Sequence, residues 1–107
     1  MAETIKVLAQ SLPPAATLTD VYTASVSAVI SSIVLANQAS SATTVRLSAA
    51  VAGAADAAKQ YLYYDVPVPA NDSLVLTLGI TLAATDVLRA YSANGAVSVN
   101  VFGVEAS

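Results

Sequence analysis

The 107-residue chain contains no cysteine, no histidine and no tryptophan, and only 4 glycines and 4 prolines. Without cysteine there is neither a disulfide framework nor a thiolate metal site, and cysteine usage points to no redox compartment. Without cysteine and histidine together, Ser-His and Cys-His nucleophile pairs and His-bearing zinc sites are excluded. So few glycines leave no phosphate-cradling loop. Charge is also scarce. The 4 basic and 7 acidic residues make up 10% of the chain, where about 25% is ordinary.

A chain of 10.7 kDa is enough for one domain, here residues 1–107, with a two-layer core. Its folded surface scales to roughly 5,500 Å², or about one charge per 500 Å². That is thin cover for a free monomer, and it points to an outer surface buried again in an oligomer or larger assembly. The net charge of −3 and the pI of about 4.3 exclude a basic surface for nucleic-acid phosphates. The opening MAETIKVLAQ lacks the basic segment and apolar core of a secretory signal. No charge falls between Asp20 and Arg46, but this gap holds Ser25, Ser27, Ser31, Ser32, Asn37 and Gln38. Its most apolar part, residues 26–36, is shorter than the roughly 20 apolar residues of a helical span, so no membrane crossing is expected.

What the chain does have is alternation. In residues 74–82, Leu74, Leu76, Leu78, Ile80 and Leu82 interleave with Val75, Thr77, Gly79 and Thr81. A period of two places the five aliphatics on one face of a strand. Further strands are expected over residues 4–10, ended by Pro13 and Pro14, and over 18–23. Residues 1–14 are read as an N-terminal strand or arm. Residues 26–36 are apolar on both faces; their alanines allow a helix, but the β-branched residues favour a central strand. In residues 43–51, Thr43, Val45, Leu47, Ala49 and Val51 should face in and Arg46 out. Residues 52–59 form a loop or one short turn.

In residues 61–68, Asp65 sets the orientation, because a carboxylate is rarely buried unpaired. Tyr61, Tyr63 and Asp65 are therefore expected outside, with Leu62, Tyr64, Val66 and Val68 inside. Pro67 marks an edge. Residues 86–92 form another strand with Leu88 and Ala90 in. Asn94-Gly95 then reads as a type I′ hairpin into residues 96–104. There Val97, Val99 and Val101 share a face, and Phe102 falls on the polar side, implying a bulge near Gly103 or an aromatic contact with a partner. The expected fold is all-β: an antiparallel β-sandwich of seven or eight strands, jelly-roll or immunoglobulin-like.

Little of this supports chemistry. Asp65 and Asp72 could form a carboxylate pair for glycoside hydrolysis, but they read as a solvated outer residue and a turn residue. Asp56, Asp65, Asp72 and Asp86 could converge on calcium, yet without the spacing of an EF-hand loop. No catalytic, metal or cofactor site is expected. The candidate contact residues are Tyr61, Tyr63, Asp65, Arg46 and Phe102, since amphipathic aromatics suit interface cores.

The run YLYYDVPVPANDSLVLTLGITLAATDVLRAYSANGAVSVNVFGVE and the opening IKVLAQSLPPAATLTDVYT resemble a family of small tailed-bacteriophage virion proteins. The likeness is most specific over residues 68–87 and in the closing FGVE of residues 102–105. The resemblance implies a non-enzymatic β-sandwich structural protein, most simply a head decoration or cement protein that stabilises the capsid lattice. It also implies a homo-oligomer, with a trimer favoured, a major capsid protein as partner, and a place in the virion after assembly in the host cytoplasm. The alternatives are a tail, baseplate or fibre-attachment module, or a carbohydrate-binding, adhesin-like domain.

Overall fold

Strict alternation of small aliphatics with polar residues selects the strand again and again along the chain. A computed structural model describes residues 3–106, and among them there are nine strands and no α-helix. The strands are β1 (Glu3–Ser11), β2 (Thr19–Thr23), β3 (Ser27–Asn37), β4 (Thr43–Ala50), β5 (Tyr61–Val68), β6 (Ser73–Leu76), β7 (Ile80–Leu82), β8 (Val87–Ser92) and β9 (Val97–Ala106). Two short 3-10 turns, Val51–Gly53 and Ala58–Gln60, lie between β4 and β5. No described helix is long and apolar enough to cross a membrane.

The strands form two antiparallel sheets. The first has the order β1-β9-β3-β6, with β7 also pairing β3; the second has the order β2-β8-β4-β5. They pack as a β-sandwich around a core supplied from both sides: Ile33, Leu35, Val99 and Val101 from the first, Val45, Leu47, Leu88 and Val68 from the second. As expected, β3 is central in its sheet and β5 is an edge strand.

The ninth strand arises because the expected strand over 74–82 is interrupted. Leu76 pairs Ile33 and Ile80 pairs Ile30, so three residues of one strand face two of β3. The face assignment survives the interruption: Leu76 and Leu82 are buried, Leu74, Leu78 and Ile80 pack against the core, and Val75 is exposed. The gap belongs to a line of irregularity crossing the whole sheet. At the same level β1 bulges at Leu8 and β3 bulges at Ser31, each opposite the Val101–Gly103 stretch of β9. Gly103 permits this approach. A Cβ there would run into the Val29 carbonyl and lie 3.0 Å from both the Ile30 Cα and the Leu8 side chain.

The bulges revise two expectations. Residues 26–36 do not alternate with one phase: the extra residue at Ser31 brings Ile33 and Leu35 onto the same inner face as Ala28 and Ile30. Phe102 owes its outward position to unbroken alternation in β9, because the bulges lie in the strands on either side. Two further expectations fail. Val51 is 75% exposed instead of inward, since β4 ends at Ala50 and the chain turns away. Asn94-Gly95 is not a hairpin turn: β8 belongs to the second sheet and β9 to the first, so the connection crosses the sandwich. Only Gly95 of the two has positive φ (71°), whereas a type I′ turn needs it at both.

One end of the sandwich is tied by a single buried amide. Asn37 Nδ2 donates to the Ser41, Val68 and Pro69 carbonyls at 2.9, 3.3 and 3.2 Å. Its Oδ1 accepts from the Ala39 amide at 3.1 Å and from Asn94 Nδ2 at 3.2 Å. Three loops thus satisfy their polar groups through one side chain, which explains an asparagine at a buried position.

Candidate functional site

The outer face of the second sheet is built by a distortion of its edge strand. Val66 pairs Val45 and Tyr63 pairs Leu47, so Tyr64 and Asp65 together stand opposite Arg46. This is the two-against-one pattern of a β-bulge, a device that re-aims side chains at sheet edges. Asp65 accommodates it with φ of 54°, a left-handed conformation that aspartate tolerates better than most residues. The extra residue reverses the expected order of the tyrosines. Tyr63 packs against the core, whereas Tyr64 is 57% exposed and Leu62 is also turned out. The orientation read from Asp65 assumed an unbroken alternation; this bulge interrupts it, and a second at Leu62, between the Tyr63–Leu47 and Tyr61–Ser48 pairs, returns Tyr61 to the outer face.

Arg46 is consequently held on three sides. Its Nε and Nη2 donate to the Asp65 carboxylate at 2.7 and 3.3 Å. Its guanidinium carbon lies 4.1 Å from the centre of the Tyr64 ring and 4.4 Å from that of Tyr91, both within cation–π range. Tyr61 meets Tyr64 edge to face with centroids 5.0 Å apart. Hydrogen bonding to Asp65 raises the Arg46 pKa above its ordinary value, so its charge is fixed. Burial first, and then the neighbouring Asp56 carboxylate, raise the Tyr61 phenol.

Residues 51–60 fold over the remainder of this face. Arg89 donates to Asp20 at 2.8 Å and to the Ala54 and Gly53 carbonyls at 2.9 and 3.3 Å. Gln60 ties the segment to itself through the Ala55 carbonyl and the Ala57 amide. Asp86 accepts from the Ala52 and Ala83 amides, each at 2.9 Å, and these two bonds lower its pKa. Ser48, Ala50 and Val87 are buried beneath this cover although they lie on the outer side of the sheet. Where the segment meets the tyrosines it leaves an open cleft of about 500 Å³ lined by Arg46, Asp56, Ala57, Ala58, Tyr61 and Tyr64.

The outer face of the first sheet differs in kind. Directly paired residues share a face, so the register gives its rows. One row runs Ile5, Val104, Val29 and Thr81; the next, Val7, Phe102 and Ser32; the next, Gln10, Asn100, Val34 and Val75. Ile5 is 84% exposed and Val75 59%, with Val7 and Val29 close to half. The polar members satisfy one another or the backbone: Gln10 donates to Asn100 at 2.8 Å and Ser31 to the Phe102 carbonyl at 3.1 Å. Only Glu3, at one corner, brings a charge to these rows.

Lys6 and Glu105 lie on the inner side of the first sheet, at the rim. Lys6 pairs with Glu105 at 2.8 Å, and the Tyr22 hydroxyl of the opposite sheet donates to the same carboxylate at 2.5 Å. These bonds lower the Glu105 pKa, while burial and the carboxylate push the Tyr22 phenol well up.

Of the five residues singled out from sequence, Tyr61, Asp65 and Arg46 come together on the second sheet. Tyr63 sits behind them, against the core, and Phe102 lies half-buried on the opposite face of the molecule. The cluster is completed by Tyr64, which alternation placed inside, and by Tyr91, which with the other tyrosines could serve as an interface anchor. The alternation of Arg46 in β4 with Tyr91 in β8 was a signal for the latter, but only given the pairing of those strands. The four aspartates considered for calcium serve separate turns and pairs, and no group of three or more possible metal-binding side chains lies together among the described residues. No family model matches the chain, and no curated protein sequence is significantly similar to it.

Proposed function

We propose that this chain is a non-enzymatic structural protein of a tailed-bacteriophage virion, a head decoration protein that seats on the capsid lattice and on neighbouring copies of itself. The observation that carries the reading is the nearly uncharged outer face of the first sheet. Four strands at ~4.8 Å spacing and five rows at ~6.8 Å make a face of about 650 Å². A standard interface takes about 800 Å² from each partner, so this face is large enough to supply most of one. A flat, neutral sheet face of this size suits repeated docking on a protein lattice, where weak contacts reinforce one another.

The fold reading sharpens with the function. With β6 and β7 counted as one interrupted strand, the sheet orders become 1-8-3-6 and 2-7-4-5. Every connection then changes sheet except that from β4 to β5. This supports a jelly roll over an immunoglobulin-like sandwich, which pairs consecutive strands within its sheets. Fold alone implies no activity, so the face and not the topology bears the proposal.

Densitometry of purified virions tests it. The expected copy number is comparable to that of the major shell protein. A few copies per particle, retained with isolated tails, would overturn the decoration reading in favour of a tail module.

A further inference from the structure

We propose that the cleft between Tyr61, Tyr64, Arg46 and Asp56 on the second sheet is a binding site for a neutral saccharide. It lies on the opposite side of the sandwich from the face argued to dock, and it stands whether or not that face seats on a particle.

The cleft is built, not incidental. Without the bulge, alternation would bury Tyr64; the bulge exposes it and places Asp65 in a left-handed conformation. Non-glycine residues held this way cluster at ligand-binding positions. That conformation sets the Asp65 carboxylate against two nitrogens of Arg46, and Tyr64 and Tyr91 flank the guanidinium. The aromatic wall is therefore held in place before any ligand arrives, which lowers the entropic cost of binding.

The charges decide the ligand class. Arg46, the one cation among the lining residues, is neutralised by Asp65, Lys59 lines a separate pocket, and Asp56 adds a carboxylate that would repel an anion. A cationic ligand would meet the guanidinium on the same aromatic wall. What remains is a neutral molecule with one apolar surface and many hydroxyls. Tyr64 and the methyls of Ala57 and Ala58 offer the apolar contact, while the Asp56 carboxylate and the tyrosine hydroxyls offer hydrogen-bond partners. A pyranose ring, with a C–H face and a hydroxyl rim, has this division. The cleft volume of about 500 Å³ falls in the usual range for small-ligand sites.

Saturation-transfer NMR on the full chain tests the assignment. The probes are glucose, galactose, mannose, N-acetylglucosamine and their β-linked disaccharides, with sialic acid and choline as charged comparators. At least one neutral sugar should give a saturable signal. Tyr64→Ala should weaken it about tenfold or more, as loss of an aromatic anchor does. Asp56→Asn, in an exposed loop, should weaken it less and keep the melting temperature, and it carries the test if Tyr64→Ala does not fold. Val29→Lys, on the far face, should leave it unchanged. Silence from every neutral sugar, a signal that survives both cleft variants, or tighter binding of sialic acid or choline would each overturn the proposal. Loss of particle attachment in Val29→Lys with sugar binding intact separates this site from the docking face.

Discussion

Both sheets bury one side in the same core, so they differ in what they turn to solvent. The second sheet meets water through ion pairs, three tyrosines and a ten-residue segment folded across it. Both arginines of the chain lie there, each held by an aspartate. The first sheet turns out valines, an isoleucine and a phenylalanine, among serines and amides. Eleven charges cannot cover two faces of a sandwich, and this chain concentrates them on one face and the rims. Low overall charge is therefore no uniform property of the surface. It is the near absence of charge from the outer face of one sheet, and that asymmetry marks a side for docking and a side for exposure.

The largest effect should come from the seam that shapes the first sheet. Gly103→Val would push side-chain atoms into the β3 backbone, and we expect the variant to lose about 3 kcal/mol or more, or to fail to fold. Gly79→Ala is the control, because nothing lies within 4 Å of its added Cβ; it should melt close to the parent. Equal melting temperatures for the two variants would mean that the bulges at Leu8 and Ser31 do not depend on Gly103.

Next comes the contrast between the two sides of one short strand. Leu76→Ala removes a buried side chain and should cost about 2–5 kcal/mol in denaturant unfolding. Val75→Ala, one residue away on the outer face, should cost no more than about 1 kcal/mol, within the span of β-propensity. Similar losses at both positions would refute the assignment of an exposed outer face.

These two residues also show how much could be read in the chain before folding. The alternation from Leu74 to Leu82 assigns every face correctly, because burial on one side imposes a period of two. It does not announce the break at Thr77–Gly79, which arises from the approach of β3 to Gly103, a contact between distant segments. Ser31 is invisible for the same reason: one serine among several gives no local sign that it is the extra residue. For Tyr63 and Tyr64, the carboxylate rule placed Asp65 outside correctly but could not count residues across a bulge. Asn94-Gly95 signals a turn and says nothing of which sheet the next strand will join. Local chemistry specifies strands and turns; pairing partners, and hence the cluster of Arg46 with Tyr64 and Tyr91, come from long-range packing.

Acid should act on one side of the comparison. The pKa values of Asp86 and Glu105 are lowered in the folded state. The stability they contribute is therefore fully present above their unfolded values near pH 4, and is lost as pH falls through the lower folded values. Asp86 anchors the segment that covers the second sheet, through the Ala52 amide. Hydrogen exchange at pH 3 should show residues 51–60 opening first, while amides of β3 and of β9 away from Glu105 stay protected. Asp86→Asn should open the same segment at pH 7 and flatten the pH dependence. Uniform loss of protection across both sheets would mean that the segment is not held separately.

The smallest effect on stability belongs to the change that tests the docking face itself. Val29→Lys with Val75→Lys puts two charges on the first sheet at exposed positions in separate rows. Since neither side chain enters the core, each substitution should cost no more than about 1 kcal/mol. An unpaired lysine ammonium buried in a neutral interface would be far more costly, because its desolvation is uncompensated. The double variant should therefore melt near the parent yet fail to sediment with particles lacking the native protein. Tyr64→Ala, on the second sheet, should sediment normally. If both attach as well as the parent, the uncharged face is not the docking face; if Tyr64→Ala alone is lost, the aromatic side seats on the lattice and the roles of the two sheets are reversed.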